Sequence, residues 1–135
     1  MSATRTDSAL ALLRVVTGLV FMAHGAQKAF SYGIAGVTGS FESMGIPFAT
    51  VTAPVVTGVE LIGGFALVIG AFTPIVALLI AADMAGAFFF VHMANGFFAP
   101  KGVEMVTILG TIALALAIAG PGAYSVDAIR ARRSA

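Results

Sequence analysis

Four long apolar stretches dominate the pattern of hydrophobic and polar positions along the chain. They cover residues 8–29, 51–72, 74–95 and 102–120. Each has about the 20 residues that an α-helix needs to cross the hydrocarbon core of a bilayer. The first is also too long for the apolar region of a signal peptide, so we expect it to be retained as a span. The pattern predicts an all-α, integral membrane four-helix bundle, with residues 1–135 forming a single transmembrane domain that ends in a tail over residues 121–135.

The segment between the first two stretches, "FSYGIAGVTGSFESMGIPFAT", is rich in glycine and has scattered apolar residues. We predict an outer loop here, with a short amphipathic interfacial helix around Ser40–Met44 that lies on the membrane surface. Thr73 and Pro74 leave only a very short turn between the second and third stretches. Those two helices are therefore predicted to be antiparallel neighbours.

Basic residues lie mostly at one end of the predicted bundle. Three arginines, in "RARR", follow the last stretch and Arg5 precedes the first, whereas the opposite side carries Lys28 and Lys101. Cytoplasmic segments of membrane proteins carry an excess of lysine and arginine. We therefore expect both termini to be cytoplasmic, which fits an even number of spans.

Composition supports the bilayer as the solvent and first partner of the chain. Of its residues, 59% are hydrophobic and 10% are charged, whereas soluble domains contain about 25% charged residues. The formal net charge of +1 provides no basic surface for nucleic acid, so no nucleic-acid partner is predicted. The chain has no cysteine, and thus neither a disulfide nor thiol chemistry of its own.

Ionisable residues within the predicted spans are the candidate functional residues. Charged groups inside a bilayer are costly and almost always face the bundle interior or a water-filled cavity. The chain has seven of them: Arg14, His24, Lys28, Glu60, Asp83, His92 and Glu104. On an ideal first helix, the three from that span fall within an arc of about 80°, so this helix is predicted to have one polar face.

Depth separates these residues into two layers. With a rise of about 1.5 Å per residue, His24, Lys28, His92 and Glu104 are expected near the outer face, and the other three deeper. The nearby "FFF" and "NGFF" segments add aromatic surface, so the outer layer is predicted to form a polar pocket with an aromatic lining. Asp83 lies nine residues before His92, about 180° away on a straight helix. Both face one cavity only if that helix bends.

Structural roles remain open for several of these residues. Arg14 with Glu60 or Asp83 could form a buried ion pair that fixes helix register, and Lys28 and Glu104 could be interfacial anchors. The two histidines could bind a haem from opposite sides, but two histidines alone are a weak signal, and haem is disfavoured. No His/Asp/Glu cluster at short helical spacing occurs, so no metal site is predicted.

Four segments together carry a family resemblance. In order, "LLRVVTGLVFMAHGAQKAF", "GVELIGGFALVIGAFTP", "FFFVHMANGFF" and "GPGAYSVD" resemble the DoxX family of small four-helix bacterial membrane proteins, from about Leu12 to Asp127. The resemblance implies a bacterial plasma membrane location. It also implies a link to membrane redox chemistry, because members are similar to the large subunit of a thiosulfate:quinone oxidoreductase, and some are implicated in complexes tied to oxidative stress and thiol homeostasis.

The family's motifs fall on specific positions of this sequence. The matching positions are Arg14, His24, Gly25 and Lys28 in the first span, Glu60, Gly63 and Gly64 in the second, His92, Asn95 and Gly96 in the third, Glu104 at the start of the fourth, and the closing turn Gly120 to Asp127. Asp83 matches no family motif, which suggests a different role.

The leading hypothesis is a quinone-interacting subunit of a membrane oxidoreductase complex. His24 and His92 would hydrogen-bond quinone carbonyls, Lys28 would stabilise developing negative charge, and Glu104 or Glu60 would relay protons. A protein partner or bound quinone would have to carry the electrons, so activity of the chain alone is left open. The alternative is a non-enzymatic membrane scaffold or assembly factor whose polar cluster is structural. Further copies of the chain are another candidate partner.

Overall fold

The computed structural model describes residues 3–135, and the regular elements in this range are all helical. The α-helices are α1 (Arg5–Ala26), α2 (Gly33–Ser43), α3 (Ala49–Gly58), α4 (Gly64–Ile69), α5 (Thr73–Ala87), α6 (Glu104–Ala119) and α7 (Val126–Arg133). Three π-helical segments, Gln27–Tyr32, Val59–Gly63 and Phe88–His92, and a 3₁₀ turn, Met93–Asn95, join or extend them. The predicted all-α architecture is confirmed.

Within the described residues, three continuous helical stretches are long and apolar enough to cross a membrane. They are Arg5–Ser43, Ala49–Ile69 and Thr73–Asn95. Helix α6 is apolar but shorter, with 16 residues. Because α6 packs along α5 over most of its length, it completes a bundle of four principal helices.

The first helical stretch continues far beyond its predicted end. Residues 30–39 were expected to be loop, with a short helix only around Ser40–Met44, but α2 already begins at Gly33. The prediction was too short because tertiary packing stabilises this helix: Val37 and Phe41, four residues apart, pack against Ala49 and Ala53 of α3.

Helix α1 crosses the second helical stretch with its backbone in close contact. A Cβ atom built on Gly64 would lie 2.6 Å from the Met22 nitrogen and 2.7 Å from the Gly18 oxygen. Further along the same crossing, Gly25 of α1 lies against the backbone of Leu61. Small residues let membrane helices approach closely, as Gly18, Gly25 and Gly64 do here. This crossing fixes which side chains of the two helices can meet.

The closing turn after α6 is anchored by α1, at the end of the bundle that carries both termini. The guanidinium of Arg14 donates to the carbonyl oxygens of Pro121, at 2.7 Å, and Tyr124, at 2.5 Å. Asp7 accepts a hydrogen bond of 2.8 Å from the Ala123 nitrogen. The segment "GPGAYSVD" therefore forms a turn whose backbone is held by side chains from the N-terminal part of the sequence.

Asp127 links the same turn to the start of α5. Its two carboxylate oxygens accept hydrogen bonds from the backbone nitrogens of Phe72, at 2.8 Å, and Thr73, at 2.9 Å. The first backbone N–H groups of a helix lack acceptors within the helix. Asp127 supplies acceptors for two such groups at the start of α5.

We predict that Asp127→Ala lowers the free energy of unfolding by about 0.5–2 kcal/mol, the range measured for the loss of helix N-cap side chains. Denaturant titration in detergent micelles would measure this. Arg133→Ala is the matched control, because Arg133 is an exposed residue at the end of the same helix, α7. This variant should leave stability unchanged. Equal stability of the Asp127 variant and the control would contradict the role of the carboxylate as a cap.

Candidate functional site

Three of the seven predicted ionisable residues lie in the three π-helical segments. Lys28 lies in the first segment, Glu60 in the second, and His92 ends the third. A π-helical turn contains more residues than an α-helical turn, so it changes the direction of the side chains that follow, and such turns are frequent at functional sites. Side-chain directions predicted at 100° per residue, as in an ideal α-helix, are therefore wrong at these three segments.

Lys28 and Glu60 form an ion pair inside the bundle. The Nζ atom of Lys28 lies 2.6 Å from Oε2 of Glu60, and the two side chains are 20% and 6% exposed. The close crossing at Gly25 and Gly64 brings the two π-helical segments together. Counting residues along ideal helices had placed Lys28 and Glu60 at different depths, whereas the structure places them in contact.

Asp83 of α5 completes this group. Helix α5 packs against the π-helical segment that holds Glu60, and the Asp83 carboxyl group lies beside Glu60 and Lys28. Its Oδ2 atom is buried and has no hydrogen-bond partner within the described part of the chain. We call Lys28, Glu60 and Asp83 the carboxyl–lysine cluster. It contains two acidic groups and one basic group.

Arg14 is not part of this cluster. The predicted ion pair of Arg14 with Glu60 or Asp83 is absent from the contacts of the described residues, and the sequence-based pairing was wrong in this respect. Arg14 lies 14 residues before Lys28, which is about 21 Å along a helix. Its side chain is 2% exposed and bonds the closing turn instead.

His92 and Glu104 both stabilise the connection between the third helical stretch and α6. The Nδ1 atom of His92 lies 2.7 Å from the carbonyl oxygen of Lys101. Glu104 accepts a hydrogen bond of 2.9 Å from the Ala99 nitrogen. Within residues 3–135, neither side chain hydrogen-bonds to the carboxyl–lysine cluster. The structure thus divides the predicted outer pocket into separate groups.

His24 lies on the outside of the bundle, in an open groove. The residues lining this groove are Ala23, His24, Ala26, Gln27, Phe30 and Ser31. We call it the His24 groove. Its three polar side chains, His24, Gln27 and Ser31, line the same groove although the π-helical segment begins at Gln27. His24 and Lys28 were predicted to share a pocket, but their side chains point to different surroundings.

Sequence reasoning missed Gln27, Phe30 and Ser31 as groove residues, because it considered only ionisable residues and the aromatic segments "FFF" and "NGFF". Their spacing relative to His24 was the available signal. Imidazole, amide and hydroxyl groups can all donate hydrogen bonds, and an aromatic ring beside them offers a stacking surface. The groove therefore has the chemistry to hold a planar ligand with carbonyl oxygens. No group of three metal-binding side chains occurs in the described part of the chain.

Comparisons with known proteins agree on the family. Residues 9–93 match the DoxX family model. The chain is 36% identical to a Bacillus subtilis protein named "Putative oxidoreductase CatD", over 78% of this chain and 75% of that one. It is 33% identical to "Inner membrane protein YqjF" of Escherichia coli, over 90% and 91%, and 31% identical to "Uncharacterized membrane protein Rv3486" of Mycobacterium tuberculosis, over 90% and 81%. No solved structure gives a significant match.

Proposed function

Since the chain belongs to the DoxX family, we propose that it is a quinone-interacting subunit of a membrane oxidoreductase complex involved in redox or thiol homeostasis. The observation that supports this best is the His24 groove, which combines hydrogen-bond donors with Phe30 on the outer surface of a membrane helix. The oxidoreductase name of the Bacillus subtilis relative adds support for the redox part of the proposal.

In this proposal, the quinone enters from the bilayer because the groove is open on the side of the helix. His24 donates to one carbonyl oxygen and Gln27 or Ser31 donates to the other or to a bridging water. Phe30 packs against the ring. Lys28 does not bind the quinone directly, since its ammonium group is paired with Glu60; it contributes positive charge nearby.

The reduction of a quinone to a quinol consumes two electrons and two protons. The chain has no cysteine, so the electrons come from a partner protein, and this subunit supplies binding and orientation. Quinone binding by the subunit alone is therefore the direct test, since it needs no electron donor.

We predict that His24→Ala combined with Gln27→Ala weakens the binding of a short-chain ubiquinone by about fivefold or more. Two lost hydrogen bonds are worth about 1–3 kcal/mol together, and about 1.4 kcal/mol corresponds to a tenfold change in Kd. Binding would be measured by titration of the purified protein in lipid nanodiscs, with a menaquinone analogue in parallel.

Thr38→Ala is the matched control, because Thr38 is a half-buried residue of α2 outside the His24 groove, and its hydroxyl donates to the Ile34 carbonyl. The control should bind quinone with wild-type affinity. A folded double variant that binds as tightly as the control would remove the His24 groove from the proposal. If the wild-type protein does not bind quinone either, the proposal of a quinone-interacting subunit is wrong.

A membrane scaffold or assembly factor is the second candidate. It is favoured by the observation that Arg14, His92 and Glu104 all serve contacts within the chain. Polar groups used in this way specify packing and take no part in ligand binding. This function predicts that the His24 and Gln27 changes reduce recovery of a defined complex partner while quinone has no effect on either protein.

A further inference from the structure

The carboxyl–lysine cluster has an excess of acidic groups inside the bundle, where Glu60 is buried and Asp83 is half-buried. Lys28 balances the charge of one carboxylate, and its Nζ atom is bonded to Glu60 at 2.6 Å. If Asp83 were also ionised, the cluster would carry an uncompensated negative charge among apolar helices. Burial of an unpaired charge is strongly unfavourable, and a buried acid avoids it by taking up a proton. Charge balance therefore requires one proton in addition to the ammonium group of Lys28.

The hydrogen bonding of Asp83 indicates where this proton lies. Its Oδ2 atom is buried and lacks a donor in the part of the chain that the structure describes, although its carboxyl group lies beside Glu60. Buried polar atoms are nearly always hydrogen-bonded. A protonated carboxyl gains one O–H donor. With a proton on Asp83, its carboxyl group would become a donor, and Glu60 is the acceptor beside it.

From this geometry we propose that Glu60 and Asp83 share one proton, so that the carboxyl–lysine cluster is a proton-binding site inside the bundle. Two carboxyl groups in one site cannot both ionise easily, and one of them retains a proton. The proposal goes beyond quinone binding, because it requires neither a quinone nor a partner protein. It also assigns a function to Asp83, which matches none of the family's motifs.

Other charged groups near the cluster do not change this balance. Helix α6 packs against α5, but its ionisable residue Glu104 accepts a hydrogen bond from Ala99 in the connection between the third helical stretch and α6. On the first helical stretch, Arg14 is bonded to the closing turn at the other end of the bundle. A metal ion is a poor occupant, since the described residues contain no group of three metal-binding side chains.

The position of the cluster gives the proton a distinct use. Glu60 lies near the midpoint of the helical stretch Ala49–Ile69, and its side chain is 6% exposed. A proton taken up here is stored in the apolar interior, and its release leaves a second carboxylate beside Lys28. Such a site can supply or accept a proton when a neighbouring group gains or loses electrons.

Infrared difference spectroscopy of the full chain in lipid nanodiscs tests this proposal. We expect a carbonyl stretching band of a neutral carboxylic acid at neutral pH, which shifts in D₂O and on ¹³C labelling of aspartate and is lost on alkaline titration. Asp83→Asn should remove the band. Glu42→Gln, which changes an exposed glutamate of α2, should leave it intact.

The isotope-labelled wild-type protein decides the question even if Asp83→Asn does not fold. Absence of a neutral carboxyl band in the folded wild-type protein would overturn the proposal. Appearance of the band only after sodium is removed would also overturn it, since a cation would then occupy the site. Because no quinone is added, failure of this proposal and failure of the quinone proposal are distinguishable.

Discussion

Replacement of Lys28 by methionine is expected to lower the free energy of unfolding by about 3–5 kcal/mol, the loss typical when one partner of a buried ion pair is removed. Methionine keeps an unbranched apolar side chain of similar length but removes the ammonium group. The side chain of Glu60 is 6% exposed, so water cannot readily replace the lost charge. Unfolding titration in mixed detergent micelles, followed by circular dichroism, would measure the change.

The double variant Lys28→Met with Glu60→Leu is the control for this prediction. It removes both charges, and hydrophobic replacement of a whole buried ion pair is often neutral or stabilising. We therefore expect the double variant to regain most of the stability lost by the single variant. If both variants are equally unstable, packing around the cluster matters more than charge. If Lys28→Met is as stable as the wild type, the pair is solvated in the membrane.

The helices that cross the bilayer could be predicted from the sequence because their signal is length and apolarity alone. Helix α2 was largely missed because its segment lacks this signal of length and apolarity. Its segment is rich in glycine, and it is helical because Val37 and Phe41 pack against α3. This contact is between two helices, so the local sequence of α2 alone does not predict that the segment is helical.

The sequence shows which ionisable residues lie in the apolar spans, but it does not predict how the structure groups them. Ionisable residues in an apolar span are conspicuous, but angular counting assumes an unbroken α-helix, and π-helical segments interrupt it at Lys28, Glu60 and His92. The partner of Arg14 could not be predicted for another reason. It is formed by backbone carbonyl groups of the closing turn, which leave no mark in the side-chain sequence.

Gly64→Ala is expected to destabilise the bundle by about 1–3 kcal/mol, the usual cost of overpacking a well-packed interior. The new Cβ atom would lie 2.6 Å from the backbone nitrogen of Met22 and 2.7 Å from the carbonyl oxygen of Gly18. Backbone atoms cannot rotate away as a flexible side chain can. Helix α1 must therefore move outward, which also separates Lys28 from Glu60. Gly64→Leu should prevent the two helices from packing at all.

Gly58→Ala is the matched control, because it changes a glycine of the same helical stretch that has no atom within 4 Å of a built Cβ. Alanine is favoured over glycine inside a helix by up to about 1 kcal/mol, so this variant should equal or exceed the wild type in stability. Both variants would be compared by unfolding titration in the same micelles. If Gly64→Ala were as stable as Gly58→Ala, the close crossing could not be what holds α1 against the second helical stretch, and the position of Lys28 over Glu60 would need another cause.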